Sequence, residues 1–281
     1  MSAIFFADTN NYNSLYLLND CAAKRMKIVF AMSMIITVLG SGTSQGVPVI
    51  GCQCPVCQSN DPRDKRLRTS ILIQTEQVAV AVDAGPDFRQ QMLRENMNRL
   101  DAVLITHEHK DHIGGLDDLR PFIFRQEKPM VLYVSDEALP EVKREYSYAF
   151  DEKPYPGAPS YDIRKLDETP FDLGDLHIEP IRLKHFTLTS YAFRIGKFAY
   201  VTDLSEISDE IIERFQGVEY LIMRLCKGRS IIRILRWMRQ LTWLSELLRK
   251  RPGSRIAATA WVVMLMFVAN CPKVWLLLSM E

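Results

Sequence analysis

The 281-residue chain is 47% hydrophobic and 25% charged, the balance of a globular protein with a sizeable core and room for one large domain or two small ones. Its net charge of +1 gives no whole-chain bias toward nucleic acid. Six cysteines, three of them within six residues, exclude a secreted disulfide scaffold and point to metal binding in a reducing compartment, so a cytoplasmic location is expected.

Residues 1–33 lack the basic start, apolar run and small-residue cleavage site of a signal peptide. They show no clear period and read either as a non-core extension or as an N-terminal helix. From Met34 the chain alternates. The stretch IITVLGSG is a strand ending in glycine, SILIQT and VAVAVDAG are β-rich runs split by a turn, and DFRQQMLRENM has helical spacing. DAVLIT is a buried strand, and GGLDDLRPFIF starts a helix after its glycines. MVLYVS is a strand and DEALPEVKREYSYAF a helix. LHIEPIRLKHF, SYAFRIG and KFAYVTD are strands, and SDEIIERF is a helix with Ser208 as its N-cap. Strands and helices mixed at these lengths predict an α/β sandwich over residues 34–223.

At Arg224 the character changes. Residues 224–281 hold eleven Lys and Arg against two acids, Glu246 and Glu281, a net +9 beside −8 for the rest. All four tryptophans lie in this tail and no histidine does. No Pro/Gly/Ser linker precedes the switch, which falls inside GVEYLIMRLCKG, a segment that begins as a strand.

The chemistry concentrates in LITHEHKDHIGG (104–115), where His107, His109, Asp111 and His112 follow an apolar strand and precede two glycines. Imidazole nitrogen and carboxylate oxygen suit zinc, manganese or iron. Alternate residues His107 and His109 can point one way from the strand end. Asp111 and His112, one turn on, can face a second site, and a metal pair of this kind clamps the attacking and leaving oxygens of a displacement. Cys52, Cys54 and Cys57 form a Cys-x-Cys-x-x-Cys array that fits one tetrahedral zinc with a position to fill.

THEHKDHIGG resembles the signature of the metallo-β-lactamase superfamily. VDAGPDF is similar to that family's earlier motif, LKHFTLTSYAFRIG to the segment with its third histidine, and YVTDLS to the segment with its metal-bridging aspartate. The resemblance implies a four-layer αββα sandwich whose C-terminal part is aberrant here. It implies that His107, His109 and His185 hold one divalent metal, Zn or Mn. Asp111 and His112 hold a second, Asp203 bridges them, and Asp83 supports the ligand loop. Asp111 would also orient the water that the metals activate. The family places one more histidine after Asp203, and this chain has none beyond His185; His177 reads as an ordinary strand residue.

The cysteine array resembles that of the phosphoribosyl cyclic phosphodiesterases of the carbon–phosphorus lyase pathway, and a related one occurs in proteins of pyrroloquinoline quinone biosynthesis. There Cys52, Cys54 and Cys57 would hold a structural zinc, with a late histidine as fourth ligand, also absent here. Both missing ligands belong to the segment that the tail replaces. The tail has three readings: a basic amphipathic helix over 229–250 for a membrane or partner, a short apolar run over 256–269 that falls short of a membrane span, or translation out of frame. Permitted codons for residues 223–240, read from the third base, give AALQREKHHPHLTLDEA, which is acidic and histidine-rich. The expected protein is therefore a phosphodiesterase acting on a small phosphodiester, weak or inactive as written. A homodimer is left open and nucleic acid is not favoured. A tRNA 3′-end-type nuclease shares the ligand set, but no RNA-binding arm is legible before residue 223. A β-lactamase or thioesterase leaves the cysteines unexplained. A non-catalytic remnant whose tail binds membrane or nucleic acid rests on the tail alone.

Overall fold

A computed structural model describes residues 2–6, 15–20, 25–30, 34–218, 220–225 and 263–268. It is a mixed α/β fold with two sheets, as the alternation of elements predicts. The first sheet has nine strands in sequence order: β1 (Ser2–Phe6), β2 (Leu15–Asp20), β3 (Arg25–Phe30), β4 (Met34–Gly40), β5 (Ser70–Gln74), β6 (Ala79–Val82), β7 (Ala102–Leu104), β8 (Met130–Val134) and β9 (Tyr161–Lys165). Pairing is antiparallel from β1 to β6 and parallel from β6 to β9. The parallel steps need crossovers. These carry α1 (Phe88–Arg94), the pair α2 (Lys110–Ile113) and α3 (Arg120–Gln126), and α4 (Leu139–Glu145).

The second sheet has six strands, β10 (Phe171–Leu173), β11 (Leu176–His185), β12 (Leu188–Ile195), β13 (Phe198–Leu204), β14 (Tyr220–Leu225) and β15 (Val263–Val268), again in sequence order. The meander β11–β13 is antiparallel, and β13, β14 and β15 are parallel. Helix α5 (Asp209–Arg214) connects β13 to β14, and the Ser208 hydroxyl accepts from the Ile211 N–H as its N-cap.

The chain divides into two compact units, residues 1–177 and 178–281, with the boundary inside β11. In the first, the apolar runs of β5, β6, β7 and β8 are buried along almost their whole length, and of these β7 and β8 are parallel strands served by crossover helices. Their side chains pack with Phe88, Met92, Leu116, Phe122 and Val142 from the crossovers. The second unit has its own core of Ile181, Leu183, Ala192, Val201, Phe215 and Met223. The N-terminal stretch contributes β1 to β3, strands that its sequence, without a period, does not predict. The basic helix expected over 229–250 lies outside the described residues. No helix among the described residues is long and apolar enough to cross a membrane.

Candidate metal centre

Strand β7 is followed by the buried pair Ile105 and Thr106, and the chain continues as HEHKDH. His109 has an extended backbone and stands at the N-cap of α2. The short helix is clamped from the β6 side: the Ala84 N–H donates to the His112 carbonyl at 2.8 Å and the Gly115 N–H to the Ala84 carbonyl at 2.7 Å. The approach is so close that a Cβ on Gly85 would lie 2.0 Å from the Asp111 carbonyl oxygen, and one on Gly115 would lie 2.1 Å from that of Gly85. The two glycines of the motif and the glycine of VDAGPDF are thus steric requirements of one turn. The Tyr146 hydroxyl donates to the Ile113 carbonyl at 2.8 Å and fixes the far end of α2.

Asp83 is fully buried beneath this turn. Its carboxylate accepts from the Thr106 N–H at 2.8 Å, from the Thr106 hydroxyl at 2.9 Å, and stands 2.6 Å from His112 Nδ1. Burial pushes the Asp83 carboxyl above its ordinary range, and the His112 charge and hydrogen bond oppose that shift. With the proton on Nδ1, the neutral His112 ring keeps its lone pair on Nε2, the atom 3.4 Å from Asp111 Oδ2. The Thr106 hydroxyl also lies 3.0 Å from His107 Nδ1. That contact leaves His107 Nε2 facing His109 Nδ1 at 3.0 Å. The His107 ring centroid is 4.7 Å from that of His109 and 4.2 Å from that of His112. His107 thus has an imidazole on either side, backed by a buried carboxylate, and such nitrogens suit a divalent metal. Asp83, His107, His109, Asp111 and His112 are therefore brought together in the first unit. Thr106 was not singled out by sequence, although its hydroxyl orients the group; its place directly before the first histidine was the available signal.

The second unit holds His185 and Asp203. His185 is the last residue of β11 and is buried. That strand end is stitched to the end of β13: the Ser205 N–H donates to the Lys184 carbonyl at 3.0 Å, and the Phe186 N–H donates to the Ser205 hydroxyl at 2.8 Å. Asp203 is buried, with a left-handed backbone at φ +52°. Asp83 has the same conformation, at φ +64°. Asp203 accepts from the Thr202 hydroxyl at 2.8 Å, and Arg224 Nη1 lies 2.6 Å from each of its oxygens. The carboxylate expected to bridge metals therefore carries a guanidinium instead. Sequence reading did not anticipate Arg224 as the partner of Asp203. His177 is exposed, with Nδ1 2.6 Å from Asp172, as an ordinary strand residue.

Cys52, Cys54 and Cys57 are free, with their sulfurs all within 4.8 Å of one another. Tight turns fold the loop: the Cys52 N–H donates to the Val49 carbonyl at 3.1 Å and the Gln58 N–H to that of Cys54 at 3.0 Å. The Val49 N–H donates to the buried Cys57 sulfur at 3.3 Å. The backbone N–H of Cys57, and then the side chain of Cys52, hold the Cys54 thiol below its ordinary value. Low thiol pKa favours the thiolate that binds metal. Three sulfurs placed this close fit a zinc with one further ligand.

The model of the β-lactamase superfamily domain matches residues 79–229. A crystal structure described as a new diphosphatase from the PhnP family is 36% identical, with a TM-score of 0.65, and the match covers 71% of this chain and 76% of that one. The octanoyltransferase of Porphyromonas gingivalis is 43% identical over 195 residues, 69% of this chain. The present chain spans only 39% of that relative's length. The structure of Zn(2+)-bound PqqB from Methylobacterium extorquens shares the fold at 20% identity and a TM-score of 0.55, over 67% of this chain and 71% of that one.

Proposed function

The chain belongs to the metallo-β-lactamase superfamily of hydrolases and has its fold, and from that premise we propose that it hydrolyses a P–O bond in a small phosphodiester or diphosphate. The observation that carries the reading is the pairing, within one unit, of the His107–His109–His112 group with the Cys52–Cys54–Cys57 loop. The likeness to a PhnP-family diphosphatase supports it. Divalent metal, zinc or manganese, would be held by His107, His109, Asp111 and His112 in the first unit, His185 and Asp203 are read as metal ligands in the second, and a structural zinc would be held by the three cysteines. The active-site ions supply Lewis-acid activation of water and neutralise phosphoryl charge. This chain's own residues position them: Asp83 and Thr106 set the imidazole orientations, and Asp111 would orient the attacking water.

The C-terminal segment belongs to the same reading. The tail supplies no histidine, and we read it as translated out of frame from about Ile222. The chain as written should then turn over slowly or not at all, and a chain with the frame restored should be the competent enzyme. The test offers both proteins, with Zn or Mn, bis(p-nitrophenyl) phosphate, a cyclic ribose phosphodiester, a nucleoside diphosphate ester and an octanoyl thioester. Cleavage of the phosphorus substrates, faster in the frame-restored chain, is expected. Turnover of the thioester alone would replace this reading with acyl chemistry, toward which the Porphyromonas gingivalis relative's name points. Equal rates in the two chains would show that the tail is native.

A further inference from the structure

We infer that Arg224 is a built-in counter-ion that occupies Asp203 in place of a divalent metal, so that the chain as written lacks one metal equivalent at this carboxylate. The inference rests on the reading of Asp203 as a metal ligand.

The pairing register carries the argument. Strand β14 runs parallel to β13 with Met223 opposite Val201 and Leu225 opposite Leu204, and the register slips between Val201 and Leu204. Thr202 and Asp203 therefore stand together opposite the single residue Arg224. Such a two-against-one step re-aims a side chain, and here it does so at Asp203, whose backbone is left-handed. The Arg224 and Asp203 side chains are only 7% and 5% exposed. A buried carboxylate needs a cation or several donors. Asp203 has Arg224 Nη1 at 2.6 Å from both oxygens and the Thr202 hydroxyl at 2.8 Å. Arginine does not lose its proton in a protein. A dication seeking those oxygens must displace the guanidinium and withstand a fixed positive charge beside it in a weakly screened site. Arg224 is also the first residue of the segment whose composition departs from the rest of the chain. The tail thus does more than omit ligands: it inserts a competitor for one that remains.

The experiment measures zinc and manganese content, and manganese affinity, of the full chain after equilibration with the metal alone. Arg224→Met removes the charge, and Arg224→Gln removes it while keeping a donor for Asp203 should Met not fold. Arg224→Lys keeps the charge. Each neutral variant is expected to bind a further metal equivalent at least about tenfold more tightly than wild type, and to lose that gain when Asp203→Asn is added. The neutral variants should melt lower without metal and recover on its addition, whereas Arg224→Lys should behave as wild type. If the wild type already holds an equivalent that Asp203→Asn removes, the inference is overturned and Asp203 stands as a ligand. If substitution at neither 203 nor 224 changes the metal content, both the inference and the ligand reading fall.

Discussion

Asp83 shows how much depends on one side chain. Its two oxygens meet both donors of Thr106 and the ring of His112, and Thr106 in turn contacts His107. Replacing it by asparagine keeps the shape but points an NH2 at one of those donors. Outer partners of metal ligands are worth tens of fold in affinity, so Asp83→Asn should weaken zinc binding at the histidines by about 10–100-fold. Competition with a chromophoric chelator would measure this, and wild-type affinity in the variant would remove Asp83 from its assigned role. The histidine cluster was legible because all its members lie within six residues, where local geometry decides which side chains meet. The Arg224–Asp203 pair was not. It joins residues 21 apart through the register of two parallel strands, and no periodicity in GVEYLIMRLCKG announces which residue will face a bulge.

Among the elements, the turn around α2 is one of close backbone approach. An alanine at 115 would place its Cβ 2.1 Å from the Gly85 carbonyl oxygen and 2.9 Å from the Phe88 Cβ, so backbone must move. Overpacking of this kind costs about 1–3 kcal/mol or more. Gly115→Ala should lower the denaturation midpoint accordingly and weaken metal binding with it; an unchanged midpoint would mean the turn has slack that its geometry does not show. The cysteine loop has the opposite character, being exposed at Cys54 and close to the surface at Cys52. A zinc there would be bound by thiolates, so protonation would compete with the metal and affinity would fall as pH falls. One zinc per chain should leave in mild acid or chelator, and Cys57→Ser should abolish its binding while leaving metal at the histidines. Loss of all metal together would mean that the two groups are one cooperative site. Strands β4 to β8 were readable from continuous apolar runs. Strand β9, YDIRK, was not, because it is only partly buried and its polar residues resemble a loop.

At the scale of the whole molecule, the sequence separates an acidic body from a basic tail, while the structure divides at residue 177. The two divisions have different causes. Charge composition follows what is translated, and compactness follows which strands pair. The family motifs lie on both sides of the structural division: the histidine loop and cysteines in the first unit, His185 and Asp203 in the second. The β-lactamase superfamily match likewise spans it, from 79 to 229. A stretch ending before residue 178 lacks His185 and Asp203. A protein ending there should bind the cysteine zinc yet show no phosphodiester turnover, and turnover by such a fragment would confine the reaction to the first unit.

Strand β3 pairs with β4 from Phe30 opposite Met34 to Met26 opposite Val38. Met34 is itself a methionine, so a protein initiated there would begin with β4 at the open border of its sheet. Ile35, Ile36, Thr37 and Val38 would then present unpaired amides and carbonyls on a β-branched, uncharged edge, the pattern that recruits another chain. Such a short form should self-associate with rising concentration in size-exclusion chromatography, whereas the full chain should not. Residues 25–30 would then act as a guard against polymerisation, a role independent of any catalytic one.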